Sequence, residues 1–242
     1  ANSGTGSMAN QTNNLPAALT SNAFTRTGYT FAGWNIASNS AATASDIDAP
    51  YHHAAHPTLY AQWTVDNHTV TFNANSGTGS MANQTNNLPA ALTSNAFTRT
   101  GYTFAGWSTT PTGAVAYADG ATYSFAADTT LYAQWTAVPP AAFGKSNPTD
   151  TATNISIAPT LLWSASSGQT DYEYCYDTAA SGVCSGTWTS TSNTTSATLS
   201  GLSYNTTYRW QARAVFAGLY TYADGGVLWT FTTSTHVPTV ET

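Results

Sequence analysis

Part of this 242-residue chain occurs twice without a single change: residues 1–34 and 74–107 read identically, at an offset of 74 − 1 = 73. After Trp34 and Trp107 the copies diverge. They meet again at Leu59-Tyr60-Ala61-Gln62-Trp63 and Leu131-Tyr132-Ala133-Gln134-Trp135, where the offset is 131 − 59 = 72. Self-similarity at this period predicts a modular array, in which each unit is one supersecondary package laid beside its neighbour. Arrays of this kind serve as spacers and display stalks more often than as enzymes.

Composition narrows what the units are made of. Only 7% of the residues are charged, whereas 13% are aromatic. Thr, Tyr, Phe and Trp suit a pleated, half-buried surface, and the Glu, Lys and Arg that would coat helices are scarce. The chain therefore reads as mainly β. Five Lys plus Arg, a formal charge of −6 and no basic cluster leave no footprint for gripping phosphates, which argues against nucleic acid as a partner. No run approaches the roughly 20 apolar residues of a membrane-spanning helix, and no charged-then-apolar leader opens the sequence. The expectation is a soluble chain with no membrane span and with any export signal removed.

Within a unit, Gly101-Tyr102-Thr103-Phe104-Ala105-Gly106-Trp107 alternates large and small residues, and Leu131-Tyr132-Ala133-Gln134-Trp135 keeps a similar rhythm; both read as strands. Val70-Thr71-Phe72-Asn73 is a third, running into the turn Asn75-Ser76-Gly77-Thr78-Gly79, and 81–86 is a fourth. The stretch 88–97 reads as a short helical turn. Strands around one brief helix make a small grasp-like α+β unit. The Val-Thr-Phe, Gly-Tyr-Thr-Phe-Ala-Gly-Trp and Leu-Tyr-Ala-Gln-Trp blocks resemble the Listeria–Bacteroides repeat, also called the internalin B-repeat, over 70–136 in full and over 1–64 less one end. The resemblance implies a β-grasp unit found in tandem on bacterial surface proteins, with no catalytic residues to carry over. Tyr29, Phe31, Trp34, Tyr60 and Trp63, with their second-copy equivalents, are read as the core of units too small to be stable otherwise. The alternative is a carbohydrate-stacking platform.

The Pro-rich stretch Ala137-Val138-Pro139-Pro140-Ala141-Ala142 reads as a semi-rigid linker. Beyond it, strand-like runs such as Thr160-Leu161-Leu162-Trp163, Tyr172-Glu173-Tyr174-Cys175-Tyr176 and Tyr208-Arg209-Trp210-Gln211-Ala212 are separated by Gly, Ser, Asn and Asp, which predicts an antiparallel β-sandwich over 143–233. Leu202-Ser203-Tyr204-Asn205-Thr206-Thr207-Tyr208-Arg209-Trp210 resembles the fibronectin type III segment in which a leucine and a turn lead into a strand opening with a corner tyrosine, and Tyr208 matches that position. Trp163 resembles the tryptophan that ends the second strand. Cys175 and Cys184, the two cysteines, bracket a turn-like segment and are expected to pair as an in-hairpin disulfide, worth on the order of 3 kcal/mol and persistent outside the cytosol. Two reduced buried thiols are the alternative.

Little in the sequence points to chemistry. His52, His53 and His56 form the one ligand-like cluster, but His53 aligns with Phe125 of the other copy and no acidic or Cys partner lies nearby, so neither a metal nor any other cofactor is expected. Asp46-Ile47-Asp48 and Asp119-Gly120 supply too few oxygens for calcium. No nucleophile motif has a matched His and acid, and the chain is expected not to be an enzyme.

The first copy begins at the equivalent of Ala74 and so lacks the counterpart of the Val70-Thr71-Phe72-Asn73 strand. The expected organisation is therefore 1–64 as a β-grasp repeat without its first strand, 65–136 as a complete one, 137–142 as linker, 143–233 as sandwich and 234–242 as an extended tail. The tail is expected to enter the gap of a neighbouring subunit, with Ala1, Asn2, Val237, Pro238, Thr239 and Val240 at a head-to-tail polymer interface. Pro238, which cannot donate to a ladder, counts against this, and a fragment whose missing strand lies upstream is the alternative. The functional expectation is a secreted or cell-surface filament subunit or stalk; the competing one is an adhesin module binding host protein or glycan.

Overall fold

The computed structural model describes residues 1–13, 15, 17–36, 38, 58–178 and 182–235. The first repeat contributes β1 (Tyr29–Asn35) and β2 (Tyr60–Val65). These pair antiparallel from Tyr29↔Val65 to Asn35↔Tyr60, with a register shift between Phe31 and Gly33. Trp34, in β1 opposite Ala61, is buried and stands edge-on to Phe31 at 5.2 Å and to Phe24 at 5.9 Å.

The second repeat adds β3 (His68–Asn73), β4 (Gln84–Asn86), β5 (Ala90–Ala91), β6 (Tyr102–Ser108), β7 (Thr122–Tyr123) and β8 (Thr129–Ala137). Four of them form one sheet in the order β4-β3-β8-β6, and β5 pairs with β7. β3 runs antiparallel to β4 but parallel to β8, with Val70 opposite Thr129 and Phe72 opposite Leu131. Period-two alternation decides which side chains enter the core: Val70 and Phe72 are buried while Thr71 and Asn73 face out. Phe72 packs on Trp107 at 4.9 Å, and Trp107 and Leu131 are wholly buried.

The helical turn expected over 88–97 is not formed. Side chains take the backbone groups that a helix would use: Gln84 donates from Nε2 to the Ala91 carbonyl at 2.8 Å and accepts at Oε1 from the Thr93 amide at 2.8 Å. Asn95 likewise accepts from the Phe97 amide at 3.0 Å. Gln11 repeats the arrangement in the first copy, donating to Ala18 and accepting from the Thr20 amide, both at 2.7 Å. Local side-chain bonding of this kind competes directly with the helical ladder. Among the described residues the one helical element is a 3₁₀ turn at Ala223–Gly226.

The C-terminal residues supply β9 (Lys145–Asn147), β10 (Ala152–Ile155), β11 (Thr160–Trp163), β12 (Asp171–Asp177), β13 (Thr189–Ser190), β14 (Ser196–Thr198), β15 (Thr207–Phe216), β16 (Leu219–Tyr222) and β17 (Trp229–Thr233). One sheet has the order β14-β11-β9; the other is β10-β17-β15-β12-β13, with β16 also on β15. Their core is a single cluster that includes Phe143, Leu161, Trp163, Tyr172, Trp210 and Phe231. The chain divides into two compact units, 1–75 with 79–97 and 105–134, and 76–78 with 98–104 and 135–242.

One ammonium group is buried in this C-terminal core. Lys145 Nζ is 2.9 Å from Asp224 Oδ2 and donates to Gln211 Oε1 at 3.0 Å and the Val227 carbonyl at 2.7 Å. Burial lowers the Lys145 pKa, opposed by its bond to Asp224 and the attraction of Asp224 and Asp150. Asp224→Asn keeps a residue tolerant of the left-handed φ of +51° but strands the lysine charge. Chemical denaturation is expected to show a loss of about 3–5 kcal/mol in this module. In the second repeat, Phe72→Ala removes the ring over Trp107, and the same measurement is expected to show a loss of about 3–5 kcal/mol there.

Candidate functional site

The turn that opens each identical stretch folds alike down to single bonds. Asn2 and Ser3 take φ of +46° and +69°, against +46° and +71° at Asn75 and Ser76. Asn2 Nδ2 donates to the carbonyls of Ala61 at 2.8 Å and Ser38 at 3.0 Å, and Asn75 Nδ2 donates to those of Ala133 at 2.8 Å and Pro111 at 2.7 Å. Trp63 Nε1 reaches the carbonyls of Asn2 at 3.0 Å and Ala1 at 3.3 Å. Ala1 and Asn2 are thus bonded within their own repeat, beside β2.

The copies differ in cover. In the second repeat Leu131, Leu92 and Phe97 are buried, and Trp107 is fully so. Their first-repeat equivalents Leu59, Leu19 and Phe24 are half-buried. The second repeat lays β3 along 129–132, whose counterpart in the first repeat is 57–60 at an offset of 72. Among the described residues no strand pairs along that edge, and β2 has β1 as its one partner. This face, lined by Leu59 and bounded by the Asn2 turn, is the candidate site. Its counterpart in the second repeat pairs with β3 over an apolar core, chemistry suited to an extended peptide.

Other expected site residues fall elsewhere. Val237, Pro238, Thr239 and Val240 lie outside the described residues, as do His52, His53, His56 and the Asp46-Ile47-Asp48 run. No group of three or more His, Cys, Asp or Glu able to hold a metal occurs among the described residues. No described helix is long and apolar enough to cross a membrane. Cys175 and Cys184 form the expected disulfide. Its loop is clamped by Arg209, which pairs with Asp177 and donates to the carbonyls of Gly182 at 3.3 Å and Val183 at 2.9 Å.

The five aromatics of each repeat are turned inward to different depths. Trp34 and Trp107 are buried, and Tyr29, Phe31, Tyr60, Trp63 and their equivalents are half-buried. The exposed rings lie instead in the C-terminal module. Tyr220 and Tyr222 are 44% and 39% exposed. The Arg213 guanidinium stacks 4.1 Å from the Trp188 ring centroid and 4.0 Å from that of Tyr220. Burial opposes the Arg213 charge, but Tyr222 and Glu173 more than offset it and raise the pKa. Sequence reasoning missed this patch because its members sit on or beside three strands whose register brings them together: Glu173 opposite Arg213, and Arg213 opposite Tyr222.

Comparison with known proteins agrees with the repeat architecture. A protein of Evansella cellulosilytica named as a Gly-rich membrane protein is 34% identical over 125 residues, covering 46% of this chain and 14% of its own length. Internalin H of Listeria monocytogenes is 38% identical over 114 residues, covering 46% of this chain and 20% of its own length. The chain therefore spans a fifth or less of either relative. The sequence model of the Listeria-Bacteroides repeat domain matches 1–62 and again 68–134, more than half of the residues. With two consecutive matches covering more than half of its residues, the chain belongs to the Listeria-Bacteroides repeat domain family.

Proposed function

We propose that the chain is an extracellular structural part of a bacterial surface protein, and that its first repeat is completed by a β-strand from outside the module. The observation that carries this reading is the unequal cover of equal sequences: Leu59, Leu19 and Phe24 are half-buried where Leu131, Leu92 and Phe97 are buried. Burying one such side chain is worth about 1.5–3 kcal/mol, so a strand that covers this face gains both apolar contact and ladder bonds. The occupant has the chemistry of β3, with apolar residues two positions apart. Delivered by another subunit, that strand joins chains into a filament.

The module types are read in the same way. The order β4-β3-β8-β6, with a parallel pair at its centre, supports a β-grasp unit without its helix. In the C-terminal module the two sheet orders support a fibronectin type III-like sandwich. The Tyr208 hydroxyl accepts from the Ser203 amide at 2.9 Å, as a corner tyrosine does. A disulfide between Cys175 and Cys184 supports an oxidising, extracellular location.

A peptide with the sequence of residues 66–73, added to the full chain, is expected to bind saturably and to slow amide exchange at 58–60. The same peptide with serine in place of Phe72 is expected not to bind. Absence of saturable binding by the first peptide overturns strand acceptance. Val237 and Val240 are three residues apart in the sequence, so a strand donated by 237–242 would fill one inward position of the two. Electron microscopy of the chain lacking 237–242 checks it: filaments are expected to be lost, and filaments that persist eliminate the tail as donor.

The exposed rings of Tyr220 and Tyr222 favour a second reading, an adhesin surface for glycan. On a glycan array it predicts binding by the intact chain and loss on Tyr220→Ala/Tyr222→Ala; no binding by the intact chain disposes of it.

A further inference from the structure

We infer that the Arg-Thr-Gly-Tyr corner of each repeat is a seat on which the following module of the array docks. This inference is independent of strand acceptance and rests on a different part of the repeat. Each corner closes a tight turn, from the Tyr29 amide to the Arg26 carbonyl at 3.1 Å and from the Tyr102 amide to the Arg99 carbonyl at 3.0 Å. In each the guanidinium lies over the tyrosine ring, at 3.6 Å for Arg26 and 3.8 Å for Arg99. Gly28 and Gly101, at φ of +75° and +77°, present bare backbone at the outer end of the turn.

Both seats are occupied, by different groups. Against Gly28 lies Asn87 of the second repeat, close enough that a Cβ on the glycine would collide with the Asn87 carbonyl. Asn87 Nδ2 also donates to the Gly28 carbonyl at 3.1 Å. Against Gly101, within the compact unit that joins 98–104 to 135–242, lies the Phe216 ring, which a Cβ would strike in the same way. Phe216 stands edge-on to Tyr102 at 5.3 Å.

One corner, identical in sequence, therefore receives a polar loop in one copy and an aromatic ring from a different kind of module in the other. What the two occupants share is access to the glycine: no side chain stands between the incoming group and the backbone. The partner that fits is a projecting loop that ends in an amide donor or a ring edge. Glycine is needed here for the close approach as well as for the turn.

The chain provides its own probe, because Arg26 and Arg99 are trypsin sites within the two seats. In limited trypsin digestion of the full chain, Phe216→Ala is expected to raise cleavage at Arg99 about tenfold and leave Arg26 unchanged. Asn87→Ala is expected to do the reverse. Gly101→Asn, which tolerates the left-handed φ but adds a Cβ, is expected to match Phe216→Ala. Arg209 and Arg213, inside β15, report on unfolding of the C-terminal module in the same digest. An unchanged rate at Arg99 in Phe216→Ala overturns the seat. So does a rise at Arg209 and Arg213 equal to that at Arg99, since Phe216 would then act only by holding its own module together.

Discussion

The second repeat depends on the cover that β3 places over the indole of Trp107. Residues 74–107 carry the turn, the two bridging asparagine bonds and the aromatic strand, yet the same residues in the first copy leave Leu19 and Phe24 half-buried. Val70 and Phe72 complete the second core from a strand that precedes the duplicated block. A unit of this size has little apolar area to spare, so two side chains at the centre of the sheet weigh heavily against the total. The same parallel pairing that buries them also satisfies the backbone along 129–132. Strand and core are therefore completed by one event.

Charge is used with the same economy. The chain has five Lys plus Arg, and each one fixes a structural element. Arg26 and Arg99 lie on tyrosine rings at the two corners, Lys145 anchors the Asp224 turn, Arg209 clamps the disulfide loop and Arg213 holds Glu173 beside the exposed rings.

Much of this was legible in the sequence. The exact duplication found the two repeat-domain matches, the aromatic alternation found β6 and β8, and Val70-Thr71-Phe72-Asn73 and Thr160-Leu161-Leu162-Trp163 became β3 and β11. These segments announce themselves through side-chain period. The two- and three-residue strands β5, β7, β9 and β13 were not legible, because so short a run has no period to read. The helical turn over 88–97 failed for a different reason: Gln84, four residues before the segment, takes its backbone groups, a side-chain bond that residue propensity within the segment does not register. Of the candidate site, the alignment of the two copies shows which segment, 57–60, corresponds to the one that β3 covers in the second repeat. The half-burial of Leu59, and the corners at Gly28 and Gly101, required coordinates.

The two copies make an internal control for the central claim. Amide hydrogen exchange on the isolated full chain compares 58–60 directly with 130–132, equivalent segments of which the second has β3 beside it and the first has no described strand there. Faster exchange at 58–60 by at least about tenfold, a difference of about 1.4 kcal/mol in opening free energy, is the expected result. Equal protection of the two segments in the isolated chain would mean that the first repeat is already complete, and would contradict the account.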